Sequence, residues 1–432
     1  MKISLNCWQH VCSFCEAEEL LALSGTCKAI RRLTEREELW ERLVLRSVRV
    51  SPFVMVPVDF AKPQWKHAMV ALANATAAQV VRGNDPESAM EMSDFTRPWT
   101  CFVTGQHVWH EPLGLDFSEL QLTLQGVDGA SIATERGPLL YCLGGKLLLV
   151  RGLHLQKLPS NTSNRTSSLI AVEDDVMRLT LDRCTFQGVP EERRGGGVMF
   201  AGGLVLCDEG GRRVVEPNLA MRLVVTGCVF AGFGDRAIFA SRLDHHDRPG
   251  GVSGELQNCR FRDVGMGLHQ DGPGDWSVTD CVFENIGKRG LCFSAMRSLS
   301  VSKCRFENGN DSCEGGVFCY DMAALQVSDT VMTRPGHAGL YIANVGDCIL
   351  SRTEMLAPGR FWAVFDSSQF AEAARLRQSS LSDRARPCTR RVRMKKGAAR
   401  RMKWTKWKWK LTKTKTASRR LRKPWMRRIW PI

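Results

Sequence analysis

Two stretches, CVFENIG at 281–287 and CRFENGN at 304–310, repeat the phrase Cys-x-Phe-Glu-Asn after 23 residues. LTLDRCTFQG, LVVTGCVFAG and ELQNCRFRD carry the same columns, and LQVSDTVM and CILSRTEM continue them with threonine in place of cysteine. The aligned residues are Cys184, Cys228, Cys259, Cys281 and Cys304, with Phe186, Phe230, Phe261, Phe283 and Phe306 two positions later. From Cys184 to Thr353 the steps are 44, 31, 22, 23, 26 and 23 residues. A phrase that returns about every 20 to 30 residues is typical of a stacked solenoid.

The repeat predicts a mainly β fold, a right-handed single-stranded parallel β-helix over residues 100–370. In this fold each short strand pairs with its equivalent one coil away, at about 4.8 Å, so one position keeps one residue type. Residues two apart share a face of a strand, so the Cys and Phe columns are predicted to point inward as an apolar ladder. About ten or eleven coils fit this length. The positions two after each Phe are predicted to turn in the left-handed conformation: Gly188, Gly232, Asp263, Asn285 and Asn308.

Residues 3–48 instead place apolar residues at helical spacing in short pieces. The stretch LNCWQHVCSFCEAEELLALSGTCKAIRRLTEREELWERLVL resembles an F-box, with a leading Leu, an acidic-Leu-Leu step, a Cys-Lys helix and a closing Leu-Trp-x-x-Leu in family order. Asn6 departs from the family, which usually has Pro there. The resemblance implies a small all-α domain over 1–48 that docks onto the linker subunit of a cullin-based SCF ubiquitin ligase. It implies contact through Leu5, Trp8, Val11, Phe14, Leu20 and Leu21.

Residues 49–99 are predicted to form a helical extension and linker. PQWKHAMVALA at 63–73 resembles the Trp-Lys helix that often follows an F-box, and 74–98 are rich in small, acidic and Pro residues. An F-box followed by a pectin-lyase-like β-helix, with repeats of the carbohydrate-binding and sugar-hydrolase type, resembles the β-helix-bearing F-box proteins. That resemblance implies a non-catalytic substrate adaptor for ubiquitin-dependent protein catabolism, whose β-helix binds an unknown protein substrate.

A carbohydrate-active enzyme is the alternative, because polysaccharide lyases and hydrolases also use parallel β-helices. Their chemistry needs two placed carboxylates, or a base with a metal or arginine. The candidate ligand face consists of His245, His246, His269, Asp271 and Asp275, within DHHDRPGG (244–251) and HQDGPGD (269–275). Asp-Gly and Pro-Gly steps also form ordinary turns. The polygalacturonase series of acidic and Gly-His-Gly motifs is absent from the sequence, so we predict no catalytic residue and a binding role, with a glycan as the alternative ligand to a protein.

The cysteines predict neither a cofactor nor a metal site. Cys12-x-x-Cys15 is the sole pair at that spacing, whereas a structural zinc site needs a second pair. The repeated cysteines have no base beside them, so a catalytic thiol is not predicted there. An odd number of cysteines, 17, scattered over a long chain favours a reducing compartment, the cytoplasm or nucleus.

The positive charge is concentrated at the C-terminal end. The formal net charge is +15, but residues 389–432 carry 19 Lys and Arg and no Asp or Glu, so the remainder is mildly acidic. The segment 371–432 interleaves these cations with Trp404, Trp407, Trp409, Trp425 and Trp430. Such a tail could bind nucleic acid or an anionic membrane surface. We favour a solvated, disordered tail or a shifted reading frame, because no polar cap ends the repeats. The sequence contains no apolar run of 18 residues, so no membrane span is predicted.

Overall fold

A computed structural model describes residues 17–25, 36–48, 53–56, 69, 81–83, 98–115, 121–135, 138–142, 145–159, 168–172, 178–189, 198–201, 221–241, 252–307, 309, 313–356, 361–366 and 392–394. Two helices lie near the N-terminal end, α1 (Ala17–Ser24) and α2 (Glu37–Val48). One face of α2 is buried, through Leu39, Trp40, Leu43, Val44 and Val48. This spacing is that of an amphipathic helix. Arg46 in the last turn complements the helix dipole.

All other described elements are strands. In chain order they are β1 (Phe53–Val56), β2 (Val81–Gly83), β3 (Trp99–Trp109), β4 (Leu113–Leu115), β5 (Gln121–Thr134), β6 (Leu140–Cys142), β7 (Leu147–Arg151), β8 (His154–Lys157), β9 (Ile170–Val172), β10 (Arg178–Asp182), β11 (Thr185–Gln187), β12 (Val198–Ala201), β13 (Met221–Thr226), β14 (Val229–Ala231) and β15 (Arg236–Ser241). They continue with β16 (Val252–Gln257), β17 (Arg260–Arg262), β18 (Met266–Asp271), β19 (Asp275–Thr279), β20 (Val282–Glu284), β21 (Arg289–Ser294), β22 (Ser298–Ser302), β23 (Arg305–Glu307), β24 (Gly315–Ser328), β25 (Val331–Thr333), β26 (Ala338–Ser351), β27 (Glu354–Leu356), β28 (Phe361–Asp366) and β29 (Val392–Met394).

From β3 onward every strand pairs in parallel with its equivalent in the next coil, and the chain winds through three faces. The first face contains the first halves of β3 and β5, then β7, β10, β13, β16, β19 and β22, and the second halves of β24 and β26. The second face contains the second halves of β3 and β5, then β8, β11, β14, β17, β20, β23, β25 and β27. The third face contains β4, β6, β9, β12, β15, β18, β21, the first halves of β24 and β26, then β28 and β29. The predicted parallel β-helix is therefore confirmed.

Stacked phenylalanines run along the interior of the second face. The rings of Phe186, Phe230, Phe261, Phe283 and Phe306 are buried, with centroids of neighbouring rings 4.6 to 5.0 Å apart and planes within 6° of parallel. The cysteine column lies beside them and is equally buried. Burial stabilises each ring by about 2 to 3 kcal/mol, and each stacked pair adds about 0.5 to 1.5 kcal/mol. The repeated phrase thus encodes the scaffold.

Three corners of the coil use left-handed backbone, and the corner that follows the third face does so at Gly272, Ala295, Asp321 and Asn344. At the corner after the Phe column, Gly232, Asp263 and Asn285 have φ of 72°, 54° and 52°, whereas Gly188 does not adopt positive φ and Asn308 lies outside the described residues. A side chain on Gly188 would instead collide with the ring of Phe233. The corner before the Cys column was not predicted from the sequence; its left-handed residues are Gly152, Arg183, Gly227, Asn258, Asp280, Lys303, Asp329 and Arg352.

An antiparallel strand covers the N-terminal edge of the first coil. β1 pairs with β3 over Val103 to Thr100, and β2 pairs with the other side of β1. Phe53 is buried and belongs to the solenoid core, with its ring 6.2 Å from that of Trp109. A helical extension and linker was predicted for residues 49–99, which is wrong for the strands β1 and β2. The apolar run FVMV forms a strand instead, because a free sheet edge is available to it; within 63–73 only Met69 is described, and it is helical.

The C-terminal tail contributes one described strand. β29 pairs in parallel with β28, Val392 opposite Ala363 and Met394 opposite Phe365. The sequence did not predict this pairing within 371–432. The rest of the basic tail, including its five tryptophans, lies outside the described residues.

Candidate functional site

The outward side of the third face holds the main cluster of reactive and aromatic side chains among the described residues. Parallel pairing aligns Phe239, His269, Cys292, Phe318 and Tyr341 in one row across five coils. Two positions further along the strands, a second row contains Asp271, Ser294 and Tyr320. We call these eight residues the third-face patch. The residues between them, such as Leu268 and Gln270, point inward and are fully buried, so the patch alternates with the core as a strand requires.

Two arginine guanidinium groups lie over aromatic rings of the patch. Cζ of Arg236 lies 4.5 Å from the ring centroid of Phe239, and Cζ of Arg289 lies 3.9 Å from that of Phe318. The Phe318 and Tyr341 rings stack at 4.1 Å. Exposed cation–π contacts contribute about 0.5 to 1 kcal/mol each. The patch therefore presents partly covered aromatic faces with arginines along one side.

Arg289 also connects the patch to its acidic margin. Its Nε donates to Glu314 Oε2 at 2.8 Å, and a second guanidinium nitrogen donates to Cys292 Sγ at 3.2 Å. Cys292 is fully buried although its position faces outward. Burial raises the pKa of the Cys292 thiol, and the Arg289 guanidinium only partly opposes that rise. The thiol is therefore held in its protonated form, which does not suit a nucleophile.

A short hydrogen-bond chain occupies the second row. Ser294 Oγ donates to Asp271 Oδ1, and Tyr320 hydrogen-bonds with Ser294. Burial raises the pKa of the Tyr320 phenol, and the contact with Ser294 lowers it in part. Asp271 is the single carboxylate of the patch. A two-carboxylate mechanism would need a second free acid, whereas the neighbouring Glu314 is ion-paired with Arg289 at 2.5 Å.

His269 is held neutral within the patch. Burial, assisted by Arg236, lowers the pKa of His269 from 6.5 to about 4, and Asp271 opposes that shift. Its Nδ1 is buried without a hydrogen-bond partner. Nε of Arg236, one coil earlier, is likewise buried without a hydrogen-bond partner. Both unsatisfied nitrogens belong to side chains that contact the Phe239 ring.

The predicted ligand-face residues are divided by the structure. His269 and Asp271 lie together on β18 in the third-face patch. Asp275 lies at the start of β19 on the first face, where it accepts a 2.6 Å hydrogen bond from Ser298 Oγ and pairs with Arg297 at 3.0 Å. His245 and His246 lie outside the described residues, as do the insertions at 190–197 and 242–250. Cys292, Ser294 and Tyr320 were not predicted, although extending the repeat register through GLCFS and GVFCY would have aligned them with His269 and Asp271. Arg289, which aligns with Met266, was not predicted either.

The predicted F-box contact residues are described only in part. Leu20 lies in α1 and is fully buried, while Glu19 and Ala22 on the same helix are exposed. Leu5, Trp8, Val11 and Phe14 lie outside the described residues, and so does the side chain of Leu21. Cys12 and Cys15 also lie outside.

Among the described residues, no three His, Cys, Asp or Glu side chains are close enough together to hold a metal ion. Neither of the described helices has the length and apolarity needed to cross a bilayer.

Comparison with known families supports the solenoid. Residues 168–355 match the family model described as a right handed beta helix region. This stretch spans about seven of the coils, from β9 to β27, and includes the whole third-face patch. No curated protein matches the chain. No solved structure matches it either.

Proposed function

We propose that this chain is the substrate-recognition subunit of a cullin-based SCF ubiquitin ligase, in which residues 3–48 dock onto the ligase and the β-helix binds the substrate. One observation carries the proposal. Within the stretch with F-box order the structure describes two helices, α1 and α2, and none of their side chains that are described as buried belongs to the core cluster of the solenoid. A helical unit with its own buried residues, beside a rigid solenoid, suits a division into ligase contact and substrate contact.

Such a protein works by proximity and needs no catalytic residue of its own. Holding a substrate beside the charged conjugating enzyme raises their effective concentration and turns a bimolecular encounter into a local one. A parallel β-helix suits this task because each coil is fixed by its neighbours, so the substrate-binding face keeps its shape.

The third-face patch is the surface that best fits substrate binding. Aromatic residues and arginine dominate the energetics of protein interfaces, usually inside a polar margin. Phe239, Phe318 and Tyr341 are half-exposed or in reach of arginine, and Asp235, Lys288 and Glu314 form charged pairs beside them. The protonated Cys292 and the single carboxylate Asp271 favour binding over hydrolysis.

The ligase contact is tested by affinity purification of the full chain from cells, probing for the linker subunit and the cullin. We expect both to co-purify with the wild-type protein and to be lost from Trp8→Arg and Ala22→Arg. Val108→Arg is the matched control, since Val108 is 50% exposed on β3, far along the chain from the helices. Leu20 is unsuitable as a contact variant because a charge at a fully buried position would unfold the helix.

Four outcomes contradict the proposal. Absence of both partners from the wild-type sample removes the ligase role. Equal recovery from Trp8→Arg, Ala22→Arg and wild type removes the proposed contact through residues 3–48. Recovery of the linker without cullin indicates an F-box protein that acts outside a ligase, and glycan hydrolysis by the purified full chain would support the carbohydrate-active alternative.

A further inference from the structure

Two buried nitrogens in successive coils lack hydrogen-bond partners at one place on the third face. They are Nε of Arg236 on β15 and Nδ1 of His269 on β18. Both side chains flank the ring of Phe239: Cζ of Arg236 is 4.5 Å from its centroid, and the imidazole centroid is 5.2 Å from it. Burying a polar group without a hydrogen-bond partner is unfavourable. Two such groups in contact with one ring point to a missing acceptor.

The charges around this place favour an anion. Arg236 and Arg289 both act on His269 as positive neighbours, and Asp235 and Asp271 act as negative ones. The acids are already engaged: Asp235 Oδ1 pairs with Lys288 Nζ at 3.3 Å, and Asp271 accepts from Ser294. The nearest acid to the arginine is Asp235, whose Oδ2 lies 3.6 Å from Nε, beyond hydrogen-bond length.

The donors determine what the ligand must be. A guanidinium N–H can only donate, and it is always charged. The neutral imidazole can place its proton on Nδ1 and donate as well. An oxyanion has several acceptor oxygens, so its oxygens could accept from both nitrogens, whereas a cation would face two arginines. Arg236 keeps 32% of its side chain exposed and His269 is half-buried, so the place can be reached from solvent after a side-chain adjustment.

We propose that Arg236 and His269 form an oxyanion-binding site on the third face. The ligand is a carboxylate or phosphate group, bound through Arg236 Nε and His269 Nδ1 above the edge of Phe239. Lys288 and Arg289 add long-range attraction. Resting on the proposed function, the group belongs to an acidic or phosphorylated side chain of the protein substrate.

Binding is measured by NMR of the full chain with isotopically labelled histidine, the His269 signal being assigned by its loss in His269→Gln. Inorganic phosphate and, separately, acetate are titrated at constant ionic strength. A bound anion next to the ring favours the imidazolium, so the midpoint of His269 titration should rise by about one to three pH units. A response to phosphate at concentrations where acetate has none identifies a phosphorylated side chain, and equal responses identify a carboxylate.

Four variants make the test specific. Arg236→Gln should abolish the response, and Arg236→Lys, which keeps the charge but lacks Nε–H, should weaken it. Arg260→Gln is the matched control, because Arg260 lies on the second face in an ion pair with Glu284. Asp235→Asn should strengthen binding by removing a competing carboxylate. Thermal melts identify any variant that is unfolded.

The proposal is overturned if neither anion moves the His269 signal, or if Arg236→Gln and Arg260→Gln behave alike. It is also overturned if the response appears only in Asp235→Asn, since Asp235 would then be the native partner of Arg236. Failure of the cullin purification with a positive titration would remove the ligase role and keep the site.

Discussion

The indole of Trp276 fills the space that a side chain at Gly254 would occupy in the coil before it. The two residues are paired in register on the first face, and a Cβ built on Gly254 would lie 2.5 Å from Trp276 Cη2. Trp276 is buried, and its Nε1 donates to Val252 O at 3.0 Å, which fixes the ring over the glycine. The large Trp276 side chain is thus accommodated because the paired position in the coil before it is a glycine.

Gly254→Ala should lower the free energy of unfolding by about 1 to 3 kcal/mol, because the ring cannot move away without losing its hydrogen bond. Urea denaturation followed by circular dichroism gives the value. Gly114→Ala is the control, since no heavy atom lies within 4 Å of a Cβ there. A second substitution, Trp276→Leu, should recover part of the loss. Equal stability of the two alanine variants would contradict the packing described.

Phe283→Ala should lower the free energy of unfolding by about 3 to 5 kcal/mol, because it opens a cavity in the middle of the stacked rings. Phe283 is fully buried between Phe261 and Phe306, at 4.8 and 4.6 Å. Val282→Ala, on the outward side of the same strand, should cost much less. The same denaturation experiment distinguishes the two, and a similar loss for both would rule out an inward ring stack.

Acid should weaken the fold partly through His269. Its pKa in the folded chain is about 4, below the ordinary 6.5, so the unfolded chain takes up the proton first. The resulting stability is fully present above pH 6.5 and is lost as the pH falls towards 4, a loss of up to about 3 kcal/mol. Stability measured at several pH values in this window should fall less steeply for His269→Gln than for the wild type. Parallel curves would show that the imidazole is not buried.

Lys303→Asn should stabilise the protein by about 0.5 to 1 kcal/mol. Lys303 has φ of 52°, where asparagine is tolerated better than a long L side chain. Its side chain is exposed, so little packing is lost. The measurement is the midpoint of thermal unfolding, with Lys288→Asn as a control outside the left-handed corner. A lower midpoint for Lys303→Asn would mean that the lysine makes a contact that offsets its backbone strain.

The described cysteines should react with iodoacetamide only after unfolding. All eleven are buried free thiols. Burial raises the pKa of Cys101 and of Cys348 to about 12, so little reactive thiolate forms at neutral pH. Mass spectrometry after a short pulse, with and without urea, measures the modified fraction at each site. Rapid labelling of Cys281 in the native protein would contradict its place inside the solenoid.

Much of the solenoid could be predicted from the sequence because each coil packs against a neighbouring coil with nearly the same sequence pattern. Phe283 and Phe306 occupy equivalent positions with equivalent neighbours, so aligning the repeats gives the register of the paired strands directly. The corner at Asn285 was predictable for a similar reason, since asparagine tolerates positive φ. Lys303 and Arg352 adopt the same backbone conformation without any such preference. Their conformation is imposed by the strands on either side, which local sequence does not reveal.

The candidate site was harder to predict because its residues lie at equivalent positions of successive coils but differ in type. His269, Cys292 and Phe318 occupy one row but differ in type, so no phrase marks them. Asp275 follows Asp271 closely in sequence, yet the turn between them sends it to another face. The strand β1 was missed because its partner edge on β3 exists only once the first coil has formed.

The antiparallel pairing of β1 with β3 also bears on assembly. A coil that ended in an open row of amide and carbonyl groups could accept the last coil of a second molecule, and the process could repeat into a fibre. Phe53 to Val56 already occupy that row against Thr100 to Val103, and they run in the opposite direction to every coil that follows. On the first face the polarity of the stack is thereby broken at its start, which blocks parallel end-to-end pairing along that face.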